Sequence, residues 1–443
     1  MWYNEAVFYQ IYPLGMCGAP SHNPPAGEPD EPNNRIMKIK EFIPHIKEIG
    51  ATSVLLNPIF NSDSHGYDTR DFKAIDPRLG DNACFTELCG AFHEQGIKVV
   101  LDGVFNHVGR GFWAFRDVLE KREQSEYKYW FHIDFNRNNN YNDGLWYDGW
   151  EGHFELVRLN LYNDQLVNYL LDCVTGWIKE FDIDGLRLDV AYCLEHGFIR
   201  RLREHVCSIK NDFFLVGEML HGDYSRMMHP DMLHSVTNYE CYKGLYSSLN
   251  AVNLFEIAYS LNRQFGPEQW TLYKGLHLFN FVDNHDVTRA ASVLNEKRNL
   301  PLLYGMLFGM PGIPCVYYGS EWGETGVKGP NSDAVLRPAY DKPLKNELSD
   351  LISKMSAAHK GSDALINGDY RQIYLTNSQF IFQRKTSSQR ILVALNSDSS
   401  PHTAHFNASS GTAKDLITGE TADFGGGLDM PPFSVSFLDM EVV

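Results

Sequence analysis

Three carboxylates stand where short apolar runs end: Asp189 after Gly185-Leu186-Arg187-Leu188, Glu218 after Leu215-Val216-Gly217, and Asp286 after Phe281-Val282-Asp283-Asn284-His285. A fourth run, Leu101-Asp102-Gly103-Val104-Phe105-Asn106-His107, adds an acid, an amide and an imidazole. Taken singly, each carboxylate is as readily a helix N-cap or half of an ion pair. Brought together with Arg187, His107 and His285 they form a costly cluster of charge, and such clusters mark function. The chemistry that two carboxylates perform is cleavage of a glycosidic bond: one attacks the anomeric carbon while the other protonates the leaving oxygen.

For these residues to meet, the apolar runs must be strands of one barrel, whose functional side chains sit at the C-terminal strand ends. Up to about Gly361 the chain does alternate short β-branched or apolar runs with amphipathic helical patterns, as repeated βα units require. The expected strands are Phe8 to Tyr12, Ser53 to Leu56, Lys98 to Leu101, Gly185 to Leu188, Phe213 to Val216, Ser235 to Val236, Leu276 to Phe281 and Cys315 to Tyr318. Helices are expected from Ile36 to Ile49 and from Asn163 to Phe181, the second with Leu166, Tyr169, Leu170, Cys173, Val174, Trp177 and Ile178 on one face.

The fold class is therefore α/β, a (β/α)₈ TIM barrel over residues 1–107 and 161–361. The stretch 108–160, rich in Asn, Gly, Asp and aromatics, is too long for an ordinary connection and reads as a subdomain inserted after the third strand. Its Trp146, Tyr147 and Trp150 suit either sugar platforms or a small core of the insertion itself. Residues 362–443 carry short apolar runs such as Ile391-Leu392-Val393-Ala394-Leu395 between Gly, Ser and Asn, which predicts an antiparallel β-sandwich.

The 443 residues, 43% hydrophobic, suffice for one barrel and a smaller appendage. A formal net charge of −17 argues against a nucleic-acid or anionic-membrane partner, since phosphate binding needs a basic footprint. No apolar run long enough for a membrane span is present, and Met1-Trp2-Tyr3-Asn4-Glu5 does not open a signal peptide, so a cytoplasmic location is expected. The eight cysteines form no Cys-x-x-Cys pair and read as free core thiols.

In order and spacing, the four strand-end segments resemble the signature regions of the α-amylase family of glycoside hydrolases and transglycosidases. The resemblance runs from about Trp2 to the closing segment Leu428-Asp429-Met430-Pro431-Pro432-Phe433-Ser434. It implies that Asp189 attacks to form a covalent glucosyl intermediate, that Glu218 is general acid and then base, and that Asp286 holds sugar hydroxyls and stabilises the transition state. Arg187 would keep Asp189 ionised, and His107 and His285 would bind hydroxyls in the cleavage subsite. Asp102 and Asn106 would support the site. His65-Gly66-Tyr67-Asp68-Thr69-Arg70-Asp71 resembles the family's sugar-stacking loop, with Tyr67 as the platform and Asp68 in a supporting role. Asp333 and Arg337 match a further pair lining the cleavage subsite.

Many α-amylases carry Lys-His just after the nucleophile segment, for the leaving side and for a calcium ion. Here Tyr192 and Cys193 stand there, which leaves a structural calcium without sequence support; no cofactor is required and no metal ligands are assigned. Arg187-Leu188-Asp189-Val190-Ala191, Val216-Gly217-Glu218-Met219-Leu220-His221 and Val157-Arg158-Leu159-Asn160 instead resemble the neopullulanase, cyclomaltodextrinase and maltogenic amylase group, with Leu220 in place of its usual tryptophan. Because the sequence opens at the first barrel strand, the extra N-terminal sandwich of that group, and dimerisation through it, are not expected; oligomeric state stays open. The expected substrate is a short malto-oligosaccharide or cyclodextrin cut at α-1,4 links, with α-1,6 links open. A transglycosidase or isomerase on the same site, or a non-catalytic sugar-binding protein, are the alternatives.

Overall fold

The computed structural model describes residues 1–443 except 25–32, 331, 409–410 and 441–443. Eight parallel strands build the centre of the molecule: β1 Phe8–Ile11, β2 Ser53–Leu56, β3 Lys98–Gly103, β4 Gly185–Leu188, β5 Phe214–Gly217, β6 Ser235–Val236, β7 Phe279–Phe281 and β8 Ile313–Tyr317. They pair in the order β6-β5-β4-β3-β2-β1-β8-β7. A single parallel bridge between Thr237 and Phe279 joins β6 to β7 and brings the sheet round to a near-closed TIM barrel. Inward residues of the strands, among them Phe8, Leu55, Val100, Phe214, Val216, Phe279 and Phe281, fill it as a core, so the barrel has a mouth and no pore.

All eight expected strands occur; Ser53–Leu56, Gly185–Leu188 and Ser235–Val236 keep their expected bounds and the other five have shifted ends. β7 begins at Phe279 because Leu276 is still held in a turn by Tyr273 O, and pairing with β8 starts only opposite Ile313. The expected helix over Ile36 to Ile49 divides into a 3₁₀ segment, Arg35–Phe42, and an α-helix, Ile43–Glu48. Pro44 is the reason: it has no N–H to give to Lys40 O, so it ends one helix and sits in the first turn of the next. The helix Asp164–Phe181 is as its pattern predicts, capped by the Asn163 side chain on Leu166 N–H, with Leu166, Leu170, Val174 and Trp177 buried.

After β3, the segments His107–Gly109, His153–Arg158 and Gly149–Trp150 form a three-stranded antiparallel sheet over the barrel mouth. Tyr147 is fully buried there and donates to Phe154 O at 2.6 Å, so it belongs to the core of this segment. The chain after the barrel forms a six-stranded antiparallel sheet, with a two-stranded pair, His402–Ala404 and Leu428–Met430, beside it. Its other face lies on the helix Leu300–Gly309, which is buried on all sides between barrel and sheet and is accordingly apolar all round. Gly305 and Gly309 make that approach feasible, since a Cβ on either would collide with Val435 or Val393. The cysteines are free, and Cys17, Cys89, Cys173, Cys241 and Cys315 are buried.

Candidate active site

Each strand-end residue singled out from the sequence lies at the barrel mouth, and one cation organises them. Arg187, in β4, is buried, and its Nη1 donates to both oxygens of Asp102 at 2.7 and 2.6 Å. The same Nη1 lies 3.2 Å from Asp189 Oδ1, and Nη2 lies 3.0 Å from Glu218 Oε1. One guanidinium therefore holds the supporting acid of β3 and the two carboxylates that follow β4 and β5. Its planar fork suits the task as a lysine ammonium could not.

The backbone after Asp189 is bent to serve the same geometry. Val190 sits at φ +39°, in the left-handed region that a β-branched residue avoids at a cost of about 1–3 kcal/mol. That turn points Val190 N–H at Glu218 Oε2, 3.0 Å away, so the strained residue fixes the second oxygen of Glu218.

Across the mouth stands Asp286. Its Oδ2 lies 2.9 Å from His285 Nε2 and its Oδ1 accepts from Arg337 Nη2 at 2.9 Å, while Asp333 Oδ2 meets the same nitrogen at 3.3 Å. Arg337 thus ties Asp333 to Asp286 at the mouth. His285 is set by Gln10, whose Nε2 reaches its Nδ1 at 3.0 Å, and by Tyr67, whose ring stacks on it at 5.8 Å. The Tyr67 hydroxyl is shared between His285 Nε2, at 2.5 Å, and Asp102 Oδ2, at 3.0 Å. His107 lies on the third side, its Nε2 3.9 Å from Asp189 Oδ2 and without a hydrogen-bond partner. Asn106 Nδ2 reaches His107 Nδ1 at 3.1 Å and so fixes the ring. Asp68 accepts from Ser64 Oγ at 2.5 Å.

Burial and charge set the protonation states. Burial pushes the Asp189 carboxyl well above the ordinary range; Arg187 pulls it down, and the charges of Glu218, Asp102 and Asp286 push it up. The expectation that Arg187 keeps Asp189 ionised thus meets a larger opposing effect from burial. Asp286 behaves oppositely: burial raises it, but His285, Arg337 and Arg187 together hold it well below the usual range. Burial, with His65, pushes His107 down to about 3, so it is a neutral hydrogen-bonding ring. Burial also raises the Tyr67 hydroxyl well above its ordinary value, which keeps its proton on.

Two residues that the sequence reading passed over tie the site together. Asn57, directly after β2, donates from Nδ2 to Tyr67 Oη and Asp102 Oδ2, both at 3.1 Å, and accepts from Gln10 Nε2 at 2.9 Å. Gln10 lies within β1. Both are polar residues in or just after an apolar strand, which is the signal that revealed the carboxylates. Tyr12 also belongs here, stacked against His285 and lying under the Arg337 guanidinium at 4.4 Å. Of the insertion's aromatics, Trp150 faces the site, its ring 5.7 Å from that of His107.

The family model of the α-amylase catalytic domain matches residues 36–365, three quarters of the sequence and all the residues named at this mouth except Gln10 and Tyr12. The chain belongs to the α-amylase family. It is a glycoside hydrolase of that family, similar to the cyclomaltodextrinase of Geobacillus thermopakistaniensis, with 30% identity over 89% of this chain and 69% of the relative. The intracellular maltogenic amylase of Bacillus subtilis is 29% identical over 88% of this chain and 68% of its own length. Among solved structures, the cyclic α-maltosyl-(1→6)-maltose hydrolase of Arthrobacter globiformis superposes with a TM-score of 0.83 at 27% identity, covering 99% of this chain and 100% of the other. Among the described residues, no helix is long and apolar enough to cross a membrane.

Proposed function

We propose that this α-amylase family member is a retaining α-glucoside hydrolase that cuts α-1,4 links of short malto-oligosaccharides or cyclodextrins through a covalent glucosyl-enzyme intermediate. The observation that carries this reading is the Arg187 bridge, which presents Asp189 and Glu218 side by side at one barrel mouth with Asp286 across from them. The names of the relatives, a cyclomaltodextrinase, a maltogenic amylase and a cyclic α-maltosyl-(1→6)-maltose hydrolase, support substrates of this class.

In this mechanism a glucosyl ring lies between Tyr67 and Asp189, with its hydroxyls met by His107 Nε2 and the Asp286 carboxylate. Glu218 enters as the proton donor and Asp189 as the carboxylate nucleophile. Asp189 attacks the anomeric carbon as its bond to the leaving oxygen breaks, and that oxygen takes the Glu218 proton. Glu218, now a carboxylate, removes a proton from water, whose oxygen replaces Asp189 at the same carbon. Both carboxyls return to their starting states. Asp286 and the buried Arg187 stabilise the charge that develops on the ring and on the nucleophile in between.

Incubation with maltotriose, β-cyclodextrin and pullulan, with products resolved over time and their anomers followed by NMR, tests the proposal. Shorter sugars released first in the α configuration are expected. Release of none from all three substrates overturns the hydrolase, and β products overturn retention. Longer sugars at high substrate concentration would show sugars replacing water as acceptor. We also place the enzyme in the cytoplasm, in keeping with the relative named intracellular.

A further inference from the structure

Two helices after β6, Tyr239–Asn250 and Phe255–Phe265, form a hairpin on the outside of the barrel, joined by Ala251-Val252-Asn253-Leu254. The second helix buries Ile257, Ala258, Leu261 and Phe265, yet its outer side carries Phe255, 48% accessible, and one turn later Tyr259, 68% accessible. A groove of about 510 Å³ lies between the helices beside these rings, lined also by Lys243, Gly244, Glu256 and Ser260. Leu272 N–H donates to Arg263 O at 3.0 Å, which brings Trp270, 60% accessible, alongside the end of the second helix.

We propose that two copies of this chain associate through this face about a two-fold axis, with Tyr259 of each seated in the groove of the other. Area, charge and shape select that occupant. At about 200 Å² per aromatic side chain, the accessible parts of Phe255, Tyr259 and Trp270 present on the order of 350 Å². A standard interface takes about 800 Å² from each partner, with aromatic residues at its centre, so these rings and the groove walls around them supply the core of one.

The formal net charge of −17 sets most of the surface against a copy of itself. In this groove the charges cancel, because Lys243 Nζ pairs with Glu256 Oε1 and Arg263 Nη2 with Glu240 Oε2. Two copies therefore meet here without that repulsion. A sugar in the same groove would need free polar groups to orient it, and these four side chains are spent on one another. The shape is self-complementary as well. A two-fold interface needs one patch to offer both the projection and the recess. Tyr259 projects, and in the recess beside it Gly244 and Ser260 are small enough to leave room for a ring.

Sedimentation velocity of the full chain from about 1 to 100 μM tests the proposal. A dimer is expected for the parent protein. Tyr259→Glu sets two carboxylates against each other near the axis and removes two rings, and is expected to raise the dimer Kd about 100-fold or more. The circular dichroism spectrum should be unchanged, because the side chain stands largely outside the core. Mixing Tyr259→Glu with Tyr259→Lys is expected to bring dimers back, since opposite charges then face each other. A parent protein that stays monomeric throughout, a dimer that survives Tyr259→Glu, or a mixture that fails to associate overturns the two-fold face. A second equivalent of maltohexaose bound by Asp189→Asn and lost on adding Tyr259→Ala would assign the face to sugar and overturn it as well.

Discussion

Arg187 Nη2 lies 3.0 Å from Glu218 Oε1, so the proposed acid is held by the same guanidinium whose Nη1 faces Asp189. A lysine at this position has one nitrogen and cannot serve both carboxylates and Asp102 at once. Arg187→Lys is therefore expected to lower kcat by about 100-fold or more while the circular dichroism spectrum is kept. Activity within a few-fold of the parent enzyme would show that the bridge is only structural.

Asp189→Asn and Glu218→Gln should fail in different ways. The first removes the attacking group and is expected to lower kcat on the order of 10⁴-fold on every substrate. The second removes the proton donor, which a natural sugar needs and a dinitrophenyl leaving group does not. Rapid release of one equivalent of dinitrophenol by Glu218→Gln, followed by a slow phase, is the expected trace. Equal loss on both substrate types would remove Glu218 from the role of acid.

The two carboxylates on either side of the mouth should shift stability with pH in opposite senses. Asp189 is raised in the folded protein, so its contribution is present below the ordinary carboxylate value of about 4 and is lost as pH rises through the folded value. Asp189→Asn escapes that loss, and its gain in Tm over the parent should grow between pH 4 and pH 7. Asp286 is held low, so its contribution is present above about 4 and disappears as pH falls. Asp286→Asn should lose Tm at pH 7, with the deficit kept down to about pH 4 and shrinking only below it. Parallel curves for the two variants in a thermal melt would contradict both assignments.

Far from the mouth, Asp184 sits just before β4, almost fully buried, with His93 Nε2 at 2.8 Å, Lys98 Nζ at 2.9 Å, Lys210 Nζ at 2.8 Å and Val99 N–H at 2.9 Å around it. Although burial works against its charge, these partners hold its carboxyl below the usual range. Asp184→Ala strands a buried N–H and uncouples two lysines, at a cost of about 2–4 kcal/mol. Urea unfolding should show that loss, with the Kd for maltohexaose unchanged in the folded protein.

Much of this was legible in the sequence, and the places where it was not share a cause. β6 is only two residues long, yet Ser235–Val236 could be found because the βα rhythm demands a strand there. The helix over Ile36 to Ile49 was misjudged because apolar spacing does not register the N–H that Pro44 lacks. Trp146, Tyr147 and Trp150 looked alike as sequence. Tyr147 is core and Trp150 faces His107, a difference fixed by which side of a short antiparallel strand each occupies.

By itself, the sequence determined the barrel and the address of its chemistry, because apolar periodicity dictates strands and helices locally and a polar residue at a strand end must lie at the mouth. What the sequence could not decide is which atoms meet there. Gln10 and His285 are 275 residues apart, Asn57 and Asp102 are 45 apart, and they touch only once the barrel has closed. The same closure buries Asp189 and Arg187 together, so that desolvation, invisible in a string of residues, overrides the attraction that their spacing alone suggested.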